Sequence, residues 1–292
     1  MQTLSPRFAH IALALSVALA ACSHNPPAVT ASVIPAIPKG EVSGKATVHT
    51  PASAKAVMDQ AAVVLPTAVT GGAIFTGLLK DAPATTRGKV PTVVFLHGSS
   101  GLSLKAIGEW QQWLAAQGIA SIAPDSFALP DRLTYKSPVD KSIYEQIHAL
   151  RASEIKLAAD AVKSIPWLDV ARLVLAGTSE GATSVARYSG NEFAGRILYS
   201  WSCENNYFVN EHRSALPQDR PVLNVMSSTD VFFSPANSWL GHPAAQGHCA
   251  QALKDNKQAT IVLIPGAPHT LINLPQARQA TATFFRELTA RP

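Results

Sequence analysis

The sequence predicts a doubly wound α/β sandwich, a mostly parallel sheet with helices on both faces. Three observations carry this expectation. Short apolar runs alternate along the chain with longer segments of helical periodicity. The runs are continuously apolar instead of alternating with polar residues, as strands covered on both faces require. No internal repeat interrupts the series, and 292 residues are enough for one domain with a large core.

The elements follow in order. A β-branched run at 90–96 ends at His97-Gly98, and Leu104, Ile107, Trp110, Trp113 and Leu114 then recur at helical spacing up to Gly118. A strand at 119–123 leads into Pro124-Asp125-Ser126-Phe127. A long helix at 142–165 places Ile147, Leu150, Ile155, Leu157, Ala158 and Val162 on its apolar side. The run Leu173-Val174-Leu175-Ala176 is followed by a short helix-like segment at 182–187. Further strands are read at 196–201, 221–226 and 259–264, and a helix at 275–289 comes last. Between 129 and 143, Pro130, Pro138 and several charges interrupt the apolar pattern, which suits a loop that shapes a pocket.

Gly177-Thr178-Ser179-Glu180-Gly181 is the most informative stretch. It reads G-x-S-x-G between a strand and a helix, the setting of a nucleophile elbow. So sharp a turn needs glycine where a side chain would strike the neighbouring strand or helix. The central serine is then lifted above the sheet edge, where its hydroxyl can attack a carbonyl if a base removes the proton. The pattern by itself also fits an ordinary glycine-rich turn.

Four stretches together resemble the dienelactone hydrolase family of α/β-hydrolases: Phe95-Leu96-His97-Gly98-Ser99-Ser100-Gly101, Ala123-Pro124-Asp125-Ser126-Phe127, the elbow, and Gly266-Ala267-Pro268-His269. The resemblance spans roughly 70–290. It implies the α/β-hydrolase fold and a triad in chain order Ser, acid, His. Asp230 stands just after the 221–226 strand, 51 residues beyond Ser179, and His269 just after the last strand, 39 residues further. In these roles Ser179 attacks, His269 is the general base and Asp230 orients the imidazole. Asp219, Asp255, His212, His242 and His248 are less well placed. Backbone N–H groups of Ser99 and Glu180 would form the oxyanion hole, with His97 orienting loops. The Glu180 side chain either favours the helix N-terminus or disfavours anionic substrates by its charge. The family proper uses a cysteine nucleophile where this chain has Ser179, so ester hydrolysis is implied but lactone specificity is not.

The chain reads as exported. Arg7 precedes an apolar run at 11–21, too short for a membrane span and suited to a secretory signal at 1–21. Leu19-Ala20-Ala21-Cys22 resembles a bacterial lipobox, in which Cys22 is lipidated; a plain signal peptide is the alternative. Ser23 then favours the outer membrane of the cell envelope. Residues 22–55, with Pro26, Pro27, Pro35, Pro38 and Pro51, read as a tether before a domain at 56–292, or else as an N-terminal strand or two on the domain edge. Cys203 and Cys249 are expected to form a disulfide, with two buried thiols as the alternative.

The formal charge of +5, or +4 without Arg7, is scattered and not interleaved with aromatics, which argues against nucleic-acid binding. The spacing of His242, His248 and Cys249 matches no familiar metal site, and the resemblance implies no cofactor. The expected partners are a small-molecule ester and, through the N-terminal lipid, a membrane. A peptidase of related fold and a non-catalytic envelope lipoprotein are the competing readings.

Overall fold

The computed structural model describes residues 39–84, 87–237, 239–240, 242 and 244–290. These lie in one compact unit, Ile37–Pro292. The signal segment, Cys22 and the first part of the expected tether lie outside the described residues.

The elements in chain order are β1 (Glu41–Ser43), α1 (Pro51–Asp59), β2 (Ala62–Leu65), α2 (Thr67–Thr70), β3 (Phe75–Leu78), β4 (Val90–Leu96), α3 (Lys105–Ala116), β5 (Ala120–Ala123), β6 (Thr134–Lys136), α4 (Lys141–Ala161), β7 (Leu168–Thr178), α5 (Glu180–Arg187), β8 (Gly195–Tyr199), β9 (Val222–Ser227), β10 (Ala259–Ile264) and α6 (Pro275–Thr289). Eight strands form one sheet in the order β10-β9-β8-β7-β4-β5-β2-β3. The pairs from β5 through β4, β7, β8 and β9 to β10 are all parallel. Only β2 runs antiparallel, to both β3 and β5.

The continuous apolar runs are explained by two cores. Along β4, Val94 and Leu96 face one core with Ile155 and Ala158 of α4 and Val185 of α5. Val93 and Phe95 face the other, with Trp110 of α3 and Phe284 of α6. A strand buried on both faces needs an apolar side chain at every position. The sheet order reverses at β4, which lies between β5 and β7. Loops at the carboxyl ends of two such strands enclose a crevice suited to a ligand.

Three expectations change. The β2–β3 hairpin lies outside the strands read from sequence, because its runs are short and Gly77 breaks the second. Strand β8 ends at Tyr199, not at 201, because the chain turns at Ser200 with φ +53°. The folded domain also begins earlier than residue 56. β1 pairs antiparallel with β6, Glu41 opposite Lys136, and the N–H groups of Lys45 and Ala46 both donate to the Asp131 carbonyl at 2.9 and 2.8 Å. Thr50 caps α1 by accepting the Ser53 N–H, and Pro51 opens the helix, where its missing N–H is harmless. Backbone pairing holds this N-terminal strap, and all three β1 residues are exposed. It therefore leaves no apolar period to read.

Cys203 and Cys249 are disulfide-bonded and buried, closing a loop of 46 residues that contains β9 and Asp230. Loop entropy of that size corresponds to about 4 kcal/mol in the chain-entropy account. Reduction is expected to lower unfolding free energy by about that amount, measured by urea titration with and without a phosphine reductant.

Candidate active site

Strand β7 ends at Thr178, and Ser179 takes φ +53° and ψ −120° before α5 begins. Few non-glycine residues adopt a positive φ, and such strain concentrates at functional sites. Both flanking glycines are forced. A Cβ at Gly177 would lie 2.7 Å from the Gly181 carbonyl carbon, and one at Gly181 would lie 2.2 Å from the Leu96 oxygen. The Ser179 N–H donates to the Tyr199 carbonyl at 3.0 Å, which ties the turn to β8.

His269 follows β10 on a loop pinned by side chains of neighbouring strand ends. Ser227 Oγ donates to the Ala267 carbonyl at 2.7 Å, and Ser200 Oγ donates to the carbonyl of His269 itself. The ring Nδ1 lies 2.8 Å from Asp230 Oδ2. Asp230 is fully buried, and its other oxygen accepts the N–H groups of Phe232 at 2.8 Å and Phe233 at 3.0 Å. Burial alone would push the Asp230 carboxyl up, but the His269 bond and charge and these two N–H groups outweigh it and hold the carboxyl below its ordinary value. An ionised Asp230 fixes the Nδ1–H tautomer and leaves Nε2 to act as a base.

Ser179 and His269 line one cleft, together with Gly98, Ser99 and Thr270. Among the described residues the Ser179 hydroxyl has no hydrogen-bond partner, and such contacts often tighten only when substrate is bound. The loop after β4 sits against the nucleophile: a Cβ on Gly98 would lie 3.3 Å from the Ser179 Cβ. The Glu180 N–H belongs to the first turn of α5, where amides have no intrahelical acceptor. Asp219, Asp255, His212, His242 and His248 do not line this cleft. Among the described residues no group of three His, Cys, Asp or Glu is arranged to hold a metal ion, and no helix is long and apolar enough to cross a membrane.

Beneath the elbow lies a buried charged network that sequence reasoning missed. Glu180 is fully buried and its Oε1 lies 2.7 Å from Arg132 Nη2 and 3.6 Å from Arg151 Nε. Its carboxylate is paired with arginine and does not line the cleft. Arg151 Nη1 donates to Glu154 at 2.6 Å, and Nη2 donates to the His97 carbonyl at 2.8 Å. Ser126 Oγ accepts from Arg132 Nε at 2.7 Å and donates to Glu154. His97 Nε2 accepts the Ser126 N–H at 3.2 Å, so Nδ1 carries the proton and donates to the Gly98 carbonyl at 2.7 Å. The imidazole thus holds the loop that faces Ser179. Helical spacing offered a signal, since Arg151 and Glu154 follow Ile147 by four and seven residues on the face read as apolar.

Buried titratable groups, some in this network and some outside it, set a pH dependence. Burial and the Arg151 charge lower His97 well below 6.5, while burial and Arg187 bring His148 and His212 down to about 4. Burial raises Glu154, yet Arg151 and its hydrogen bonds overcome this and hold it at about 2 against an ordinary 4.5. The unfolded chain binds protons on these histidines below about 6.5, and the folded chain does not. Stability should therefore fall from pH 6.5 toward 4, and fall further below 4.5 as the Glu154 contribution is lost. Urea midpoints at pH 7.5, 5.5 and 4 check this; a rising midpoint on acidification would contradict it.

No family model matches the sequence, and no curated protein matches it either. Solved structures do match. A protein from Klebsiella pneumoniae subsp. pneumoniae MGH 78578 assigned as a dienelactone hydrolase superposes with TM-score 0.50 at 16% identity, over 72% of this chain and 90% of that one. A cold-adapted esterase from an Arctic intertidal metagenomic library gives TM-score 0.50 at 15% identity, over 77% and 91%. The fold is that of the α/β-hydrolases. In this α/β-hydrolase fold the elbow, the loop after β4 and the loops after β9 and β10 converge at the carboxyl edge of the sheet. An α/β serine hydrolase from Xanthomonas campestris described as lacking a lid also aligns, with TM-score 0.47 at 18% identity, over 80% and 90%.

Proposed function

We propose that the chain is a serine hydrolase of the dienelactone hydrolase type that cleaves carboxylic esters through an acyl-enzyme. The observation that supports this most is the 2.8 Å contact of His269 Nδ1 with buried Asp230, in the same cleft as the strained Ser179. Ser179 Oγ attacks the ester carbonyl as His269 Nε2 takes its proton. The N–H groups of Ser99 and Glu180 stabilise the oxyanion, and removing one such donor typically costs about 10²–10³ in rate. Collapse of the tetrahedral adduct breaks the bond to the alcohol, which leaves with the proton from His269. Water, deprotonated by His269, then releases the acid and restores Ser179.

Export and a lipid at Cys22 belong to the same proposal, supported by the lipobox-like Leu19-Ala20-Ala21-Cys22 and by a buried disulfide that suits an oxidising compartment.

A fluorophosphonate probe, followed by mass spectrometry of the labelled peptide, tests the chemistry. Labelling confined to Ser179 and lost in Ser179→Ala supports the reading. A folded protein that is never labelled would sink it and favour a binding role for the fold.

A further inference from the structure

The cleft that holds Ser179 and His269 has a volume of about 420 Å³ and an unusual wall. Five of its sixteen lining residues are Phe or Tyr, against 7% aromatic residues in the chain as a whole. Among the described lining residues Leu104 is the one aliphatic side chain larger than a methyl, and none carries a carboxylate.

The five rings interlock. Phe208 lies at the centre, with its centroid 5.8 Å from Tyr135, 6.1 Å from Tyr207 and 5.9 Å from Phe233, all edge-on. Phe232 meets the His269 ring edge-on at 4.7 Å. Buried rings support the wall from behind: Tyr144 lies 4.3 Å from Phe208, and Trp201 5.0 Å from Phe233. Each ring of the wall is in contact with at least two other rings.

Such a wall discriminates by shape and by electron distribution. A planar aromatic ring offers a negative face and a positive edge to surrounding rings, and it enters with few rotatable bonds to freeze. A saturated ring of the same size has neither the flatness nor the quadrupole. A flexible alkyl chain additionally loses rotamer freedom.

Resting on the hydrolase reading above, we propose that this cleft selects esters bearing a planar aromatic ring, with Tyr207 and Phe232 as specificity-determining residues. The ring can belong to the acyl or the alcohol half, and matched substrates separate the two. Methyl phenylacetate against methyl cyclohexylacetate probes the acyl side; benzyl acetate against cyclohexylmethyl acetate probes the alcohol side. In one of the two pairs the aromatic member is expected to have a kcat/KM about tenfold higher, the scale of one or two aromatic contacts. Tyr207→Leu or Phe232→Leu should collapse that ratio toward one while turnover of the cyclohexyl ester changes less. Ratios of one or below in both pairs overturn the proposal.

Failure of the hydrolase reading is seen separately, as no turnover of any ester and no fluorophosphonate labelling. Ligand-detected NMR then still decides the matter, with benzyl alcohol and phenylacetate compared with their cyclohexyl counterparts on Ser179→Ala. Preferential binding of an aromatic member, lost in Phe232→Leu, upholds the slot; equal binding overturns it.

Discussion

Ser179→Ala is expected to lower kcat for any accepted ester by about 10⁴-fold or more, with no loss of folding stability. Alanine keeps the same strained φ of +53°, so nothing in the elbow is relieved or newly broken. Ser179→Gly separates the two consequences of that position. It should be equally inactive, yet more stable by about 1 kcal/mol, because glycine adopts a positive φ without the Cβ clash. Asp230→Asn should lower kcat by about 10⁴-fold as the imidazole takes the wrong tautomer. Turnover measured beside urea unfolding checks all three variants. An active Ser179→Ala would remove the serine from the mechanism, and an Asp230→Asn enzyme of normal rate would remove the acid.

Breaking the buried Arg132–Glu180 pair should cost about as much stability as reducing the disulfide. Arg132→Met leaves the Glu180 carboxylate buried without its 2.7 Å guanidinium partner, the Arg151 Nε lying 3.6 Å away. Removing one member of such a pair typically costs about 3–5 kcal/mol. The double variant Arg132→Met, Glu180→Leu should regain much of that loss, because the uncompensated charge is gone. Equilibrium unfolding of the two singles and the double makes a thermodynamic cycle, and simple additivity would show that the pair is not coupled. The same geometry predicts that Glu180→Gln leaves the ratio of turnover for neutral and anionic esters unchanged.

The legible parts of this molecule are those whose residues are dictated by local geometry. The elbow glycines announce themselves because any side chain there would strike backbone at under 3 Å. Asp230 and His269 could be picked out by position, each following a recognisable apolar strand. Their side chains do meet, at 2.8 Å. What stayed hidden depends on partners distant in sequence. Arg132 and Glu180 are 48 residues apart, and neither carries a local sign of burial. The rings of the cleft come from three separate loops and strands, so no window of sequence contains them. The β1 strap is harder to read for the opposite reason: its strand is exposed along its length, and it is held by backbone pairing and polar contacts to β6 instead of by an apolar face.

That strap makes the two sides of the cleft unequal. One side is the end of β7, in the middle of an eight-stranded sheet and fully buried at Leu175 and Ala176. The other includes β6, whose partner in its two-stranded ribbon is the exposed β1, with Lys136 and Glu41 paired in full contact with water. A two-stranded ribbon is marginal on its own, and a solvated ion pair adds little. Amides of β7 should exchange with solvent only when the whole domain unfolds, whereas those of the ribbon can exchange through local opening. The two sides of the cleft thus differ in how readily their backbone opens to solvent, the side that carries Ser179 being the more protected.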